Sequence, residues 1–316
     1  MTVALITHEA CFDHDTGPGH PERPDRLSAV LAALAEDRFP DLLRRQAPRA
    51  TAGQIARVHD PDYVRELIAV RVPPGELAAL DADTILSPGS IEAALRAAGA
   101  ATLAVDLVMA GKADAAFAAV RPPGHHARPA RAMGFCLFNN VAIAAAHARR
   151  RWGLKRIAVA DFDVHHGNGT QEAFWNDPDL FFASSHQSPC YPGSGGEHER
   201  GAAGNVANAP LAPGSGSAAF RRAWQDVLLP ALDAFAPQLV IISAGFDAHR
   251  RDPLAQLMLA AEDYGWITRE LVALAGRHAG GRAISLLEGG YDLAALAESA
   301  AAHVAALGQG GEAAKI

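Results

Sequence analysis

The 316-residue chain contains only three cysteines, Cys11, Cys136 and Cys190, too few and too scattered for a disulfide framework or a zinc knuckle. That scarcity points to a reducing, cytoplasmic compartment. Basic residues are in the minority, with 28 Lys and Arg against 35 Asp and Glu and a net charge of −7. The chain therefore lacks the basic excess expected of a nucleic-acid partner. No run of about 18 apolar residues occurs, and the start "MTVALITHEACFDHD" has no basic n-region, so neither a membrane span nor a signal peptide is expected. A Ser nucleophile elbow, a Walker loop and a dinucleotide fingerprint are missing as well. No internal repeat of 20 to 50 residues is visible.

What remains is an ordinary globular balance, 49% hydrophobic and 20% charged, without a break in composition, so a single domain over 1–316 with a large core is expected. Five short runs are apolar on both faces: "VALIT", "DAAFAAV" (114–120), "RIAVADF" (156–162), "QLVIISA" (238–244) and "RAISLLE" (282–288). Such runs suit strands covered by helices. Between them lie alanine-rich amphipathic stretches such as "RPDRLSAVLAALAED", "SIEAALRAAGAATLAVDLVMAG", "NNVAIAAAHARRRWG" and "FRRAWQDVLLPALDAF". The alternation predicts an α/β fold, a mainly parallel sheet with helices on both faces. The stretch from about 184 to 218, rich in Gly, Pro and Ser, resists this scheme and reads as a long irregular connection, which inside a compact domain is usually functional.

Polar residues gather where the apolar runs end: "RPPGHHA", "DFDVHHGN", "GFDAHRRDPL" and "GGYDL". Ligands of open α/β sheets bind outside the carboxyl ends of the strands, so these four ends bring His125, His126, Asp161, Asp163, His165, His166, Asp247 and Tyr291 to one rim. In an extended segment Asp161, Asp163 and His165 share a face. An isolated Asp–x–His is more often an internal ion pair, and an aspartate after a strand more often a helix cap; convergence of four ends favours a site. Two carboxylates and an imidazole suit a catalytic zinc with an open position, Asp247 being the natural third ligand. Manganese, iron and cobalt accept similar donors. The stiff turn Pro122–Pro123–Gly124 fixes two histidines able to move protons near pH 7, and Asp161, if free of metal, can orient one ring. Tyr291 can donate to a developing oxyanion. The chemistry these groups support is metal-assisted hydrolysis.

In order, "TGPGHPERPDRL", "RPPGHHA", "MGFCLFNNVAIAA", "DFDVHHGNGTQEAF", "SAGFDAHRRDPL" and "LEGGYDL" make the chain resemble, from about His14 to Leu293, the zinc-dependent histone deacetylase superfamily, closest to its class II and bacterial amidohydrolase branch. The resemblance implies the arginase–deacetylase fold, with an eight-stranded parallel sheet. It implies one Zn²⁺ per chain on Asp163, His165 and Asp247, with His126 as general base and then acid. His125 paired with Asp161 gives electrostatic support, Asn168 orients His126, and Tyr291 polarises the carbonyl. A structural K⁺ falls to Asp161 and Ser184, aided by main-chain carbonyls, and a second monovalent site to carbonyls around Phe174, Asp177 and Leu180. The acyl-lysine channel is assigned to Phe135, Leu254 and Tyr191, with Gly134 seating the chain and Asp83 a candidate rim acceptor. His166 is left to packing or supporting hydrogen bonds.

The substrate implied is an acylated lysine or a small acylated amine. Leu254 stands where polyamine deacetylases place an acidic gatekeeper, which favours acyl-lysine or a neutral amide over acetylpolyamine. An arginase-like binuclear site needs further aspartates, whereas Gly167 and Asn168 follow "DFDVHH". A catalytically idle metal protein is disfavoured by the complete set His125, His126, Asp163, His165, Asp247 and Tyr291. Oligomeric state stays open, a homo-oligomer included.

Overall fold

Eight strands form one all-parallel sheet in the computed structural model, which describes residues 1–309. In chain order they are β1 (Val3–Thr7), β2 (Leu43–Gln46), β3 (Ala115–Ala118), β4 (Ile157–Asp161), β5 (Leu180–Gln187), β6 (Val206–Leu211), β7 (Leu239–Ala244) and β8 (Ala283–Leu287). They lie side by side as β2-β1-β3-β8-β7-β4-β5-β6, with helices on both faces. All five strands expected from apolar runs are present, and β3, β4, β7 and β8 are buried throughout. Those four are also consecutive in the middle of the sheet. Because they run parallel, their carboxyl ends open on the same edge, and this is what gathers the site.

The helices obey their local signals. Asn139 accepts from the Ala142 amide at 3.0 Å and caps Asn140–Trp152, whose last turn carries Arg149, Arg150 and Arg151 against the negative end of the helix dipole. Asp292 caps Leu293–Leu307 in the same way. The expected helix over 220–235 is helical but uneven, with a π-helical turn at Trp224–Leu228 just before Pro230. A proline inside a helix removes a donor and presses on the preceding turn, and the wider turn relieves this.

The irregular stretch at 184–218 is only partly irregular. Its first residues complete β5, and Val206–Leu211 pairs with β5 as the edge strand β6. The second half of β5, "SSHQ", is polar yet buried, so no apolar run marks it. Pro210 sits in the edge strand, the one place in a sheet where a missing amide costs little. Strand β2, "LRRQ", is a largely exposed edge and shows no apolar pattern either.

Beneath the rim lies a fully buried ion cluster. Glu22 accepts from Arg26 at 3.0 Å and from Arg121 at 2.6 Å, and the His14 ring stands 3.3 Å away. Arg26 also donates to the carbonyls of Gly290 and Glu288, at 2.6 and 2.5 Å, and so fastens the turn leading into Tyr291. Burial would raise the Glu22 pKa, but Arg121, His14 and Arg26 outweigh it and hold the carboxyl well below its usual range. Breaking a buried pair by removing one partner costs about 3–5 kcal/mol. Glu22→Ala is therefore expected to lower the urea-unfolding free energy at pH 7 by about that amount; a loss under about 1 kcal/mol would mean the cluster is solvated.

Candidate active site

Asp161 ends β4, and the next residues turn back on themselves through their own side chains. Asp161 Oδ1 accepts from the Asp163 amide at 3.1 Å, and Asp163 Oδ1 accepts from the His165 amide at 2.8 Å. The aspartates of "DFDVH" thus shape the loop and also present their second oxygens to the rim. Asp163 Oδ2 accepts from the Gly289 amide at 2.8 Å, and Asp247 Oδ1 accepts from the Val164 amide at 2.8 Å. The ends of β4, β7 and β8 are tied together by carboxylates.

One imidazole nitrogen, His165 Nδ1, lies 3.1 Å from Asp163 and 3.1 Å from Asp247. Donor atoms from the three residues fall within 4.8 Å of one another, and all three residues are buried. Burial alone would lower the His165 pKa, but hydrogen bonds to the two carboxylates hold it well above its usual range. Two carboxylates set against one imidazole nitrogen make a centre that attracts a cation. No side chain crowds it: a Cβ on Gly245 would come within 2.0 Å of Asp163 Oδ2, and one on Gly289 within 2.0 Å of Asp247 Oδ2. Two carboxylates and an imidazole so spaced fit the donor set of a zinc that keeps an open position.

The two histidines after β3 have different partners. His125 donates through Nδ1 to Asp161 Oδ2 at 2.9 Å. Burial works against its charged form, but Asp163 and Asp161 prevail and lift its pKa to about 10. His126 donates through Nδ1 to Asn168 Oδ1 at 2.8 Å, which leaves the lone pair on Nε2. Burial, then the charges of His125 and His165, push its pKa well below the ordinary value. One ring is held charged and its neighbour neutral. Such separation of paired groups is how one site supplies both an electrostatic and a basic function.

A pocket of about 220 Å³ descends to these groups, lined by Phe135, Tyr191 and Leu254 as well as His126, His165 and Tyr291. Gly134 also lines it, with φ +56 and so close to the His126 ring that a Cβ would come within 2.5 Å. Phe135 is itself left-handed, φ 67, a conformation costly for an aromatic residue and concentrated at functional sites. Its ring meets Tyr291 edge-on at 5.9 Å, while the Arg26 guanidinium covers Tyr291 at 4.8 Å. Burial raises the Tyr291 pKa well above its usual value, so its hydroxyl remains a donor. A larger hollow of about 820 Å³ runs along β6, but none of the converging groups lines it.

Of the expected site residues, His125, His126, His165, Tyr291, Gly134, Phe135, Tyr191 and Leu254 line this pocket, whereas Leu180, the first residue of β5, lies at the opposite, amino end of the sheet with Phe174 and Asp177 near it. Asp161 and Ser184 face each other in register between β4 and β5, both fully buried. Asp83 lines the pocket. His166 has no place in it and instead bonds Ser194 at 2.8 Å and Gln171 at 3.0 Å. Two supporting acids, Glu288 and Asp252, stand out only in the structure. Glu288 accepts from the amides of Gly124 and His125, at 2.6 and 3.1 Å, and burial lifts its pKa to about 7. Asp252 accepts from the amides of Tyr291 and Leu254, at 2.7 and 3.0 Å. The signal for Glu288 was present, a charged residue closing an apolar run; Asp252 in "RRDPL" carried none.

Residues 20–307 match the family model described as histone deacetylase domain. A protein of Pseudomonas aeruginosa described as a histone deacetylase-like amidohydrolase is 39% identical over 312 residues, covering 92% of this chain and 81% of that one. A probable deacetylase of Archaeoglobus fulgidus is 38% identical over 299 residues, with 93% and 82% covered. The solved structure of the HDA15 HD domain superposes with a TM-score of 0.90 at 37% identity, over 98% of this chain and 89% of that chain. Among the described residues no helix is long and apolar enough to cross a membrane.

Proposed function

The chain belongs to the histone deacetylase domain family and is a hydrolase of the deacetylase type, and from that premise we propose that it is a zinc-dependent amidohydrolase removing acetyl or related acyl groups from lysine side chains. The observation that carries this reading is the buried centre of Asp163, His165 and Asp247 at the floor of a pocket that His126 and Tyr291 also line. Zinc held by those three residues would supply a Lewis acid that polarises the amide carbonyl and acidifies water. His126, neutral and with Nε2 free, takes a proton from water and returns it to the leaving amine. His125, charged and braced by Asp161, opposes charging of His126 and favours negative charge on the substrate. The Tyr291 hydroxyl donates to the carbonyl oxygen as charge develops there. Asp161 and Ser184 hold a structural K⁺ behind the centre. The whole chain serves as one domain around this site, in the cytoplasm.

Asn168 sets the pH range. Its amide orients His126 but brings no negative charge, whereas an opposite charge favours the protonated ring. Asn168→Asp is expected to move the acidic limb of kcat/KM upward by roughly one pH unit or more. The neutral base would then be lost at a higher pH. An acidic limb that stays in place refutes this role.

Substrate choice rests on the rim. Leu254 is 37% exposed at the mouth and offers no charge to a cationic chain. Asp83 supports the alternative, an acetylpolyamine substrate, since a carboxylate at the rim attracts amines; burial and then Asp81 raise its pKa, which weakens that attraction. A panel of acetyl-lysine peptides, longer acyl-lysines and acetylspermidine, each with and without a hydroxamate chelator, separates the readings. The expected result is hydroxamate-sensitive turnover fastest on acetyl-lysine. Much faster turnover of acetylspermidine would establish the alternative.

A further inference from the structure

The Asn168 side chain that holds His126 has two ends of nearly the same shape. With Oδ1 toward the ring it accepts from His126 Nδ1, at 2.8 Å, and leaves the lone pair on Nε2. Turned over about its last bond, the amide would put Nδ2 there, donate to Nδ1 and drive the ring proton to Nε2, where it blocks the base. Either arrangement makes one hydrogen bond with His126, so the ring does not choose between them. The backbone is fixed and does not choose either. The Gly169 and Thr170 amides donate to the His125 carbonyl at 3.1 and 3.2 Å, and a Cβ on Gly169 would come within 2.2 Å of the Ala127 carbonyl oxygen. What decides is the partner at the outer end of the amide.

That partner is a sulfur. Met133 Sδ lies 3.5 Å from Asn168 Nδ2 and is the only acceptor this nitrogen meets among the described residues. A thioether has lone pairs and no hydrogen, so it bonds the amide nitrogen and offers nothing to the oxygen. Its place is set by a short bridge, in which the Met133 amide donates to the Cys136 carbonyl at 3.2 Å and the Cys136 amide to the Met133 carbonyl at 3.0 Å, with the left-handed Gly134 and Phe135 at the tip. Two arginines line the same surface hollow of about 500 Å³ as Met133 and Asn168, but both are engaged elsewhere. Arg128 donates to Glu172 at 2.5 and 3.2 Å, and Arg131 faces Asp81 at 3.9 Å. We infer that Met133 fixes the tautomer of His126, by accepting from Asn168 Nδ2 and so holding Oδ1 toward the ring. Met133 is a positioning residue, needed because an amide, unlike a carboxylate, has two different ends. Its importance for turnover rests on the proposed catalysis by His126, while its effect on the ring is measured directly.

The test is long-range proton–nitrogen NMR of the histidine rings in the full-length, zinc-loaded protein, measured above the acidic limb, with the His126 signals assigned by their loss in His126→Ala. In the parent, His126 should carry its proton on Nδ1. In Met133→Leu, which keeps the bulk and removes the acceptor, the two ring-nitrogen shifts should move toward each other as both tautomers populate. A neutral hydrogen bond biases such a choice by about two- to tenfold, so kcat on acetyl-lysine should fall by up to about twofold. Met133→Lys, whose ammonium only donates, should invert the choice, with the proton mainly on Nε2 and kcat lower by about three- to tenfold. In the Asn168→Asp background, where both side-chain oxygens accept, Met133→Leu should move neither the ring shifts nor kcat. A proton on Nε2 in the parent overturns the inference whatever the variants do. So does an unchanged tautomer in Met133→Leu, or a loss of kcat equal in both backgrounds, which marks packing alone. Ring shifts that behave as stated in a protein unable to hydrolyse acetyl-lysine would overturn the catalytic reading and leave the role of Met133 standing.

Discussion

Asp247→Asn is expected to yield a folded protein that loses its zinc on dialysis and hydrolyses acetyl-lysine more than about a hundredfold more slowly, beyond what losing an outer hydrogen bond to a ligand costs. The substitution is nearly isosteric, and its side-chain oxygen can still accept from the Val164 amide, the bond that Asp247 Oδ1 makes at 2.8 Å. What it removes is charge. Asp247 Oδ2 lies 3.1 Å from His165 Nδ1, and with Asp163 it supplies the negative side of a buried centre. With one carboxylate left, the residues no longer balance a divalent ion. Metal content and turnover, measured on the same preparation, check the result. Parent levels of both in the variant would remove Asp247 from the site.

His126→Ala should lower kcat/KM by about 10²–10⁴-fold, the usual contribution of a positioned general base, while zinc content stays at the parent level. This separates the two roles, because His126 bonds Asn168 and belongs to no part of the carboxylate centre. The pH profile should change as well. The His126 pKa is held below its ordinary value by burial and by the charge of His125, so the base stays neutral, and active, below the usual histidine range. The acidic limb that marks its protonation should vanish in the variant. Loss of zinc on this substitution would instead show His126 holding the metal centre.

Much of this was legible in the sequence, for a physical reason. The residues that carry the chemistry follow β3, β4, β7 and β8, strands buried on both faces whose apolar runs stand out, and the sheet places those four side by side. The extended reading of "DFDVH" does not hold: β4 ends at Asp161, and the side chains of Asp161 and Asp163 accept from the amides two residues on, so it is this turn and not strand alternation that places Asp163 and His165. Strands without an apolar pattern were hidden: β2 because it is an exposed edge, β5 because its buried end is polar and satisfied by hydrogen bonds, such as Ser184 with His186 at 2.9 Å. The buried acids escaped for a related reason. Glu22, Asp252 and Glu288 act through partners distant in the chain, Arg121, Tyr291 and Gly124 among them, and no local spacing records such pairs.

Metal-dependent amide hydrolysis at one centre is tested most directly by following acetate release from an acetyl-lysine peptide together with metal per chain. The protein is stripped with a chelator and titrated with zinc. Activity should fall to background on stripping and return in proportion to zinc, reaching its plateau at one ion per chain. Full turnover by the stripped protein, or a plateau only at two tightly bound ions, would contradict it.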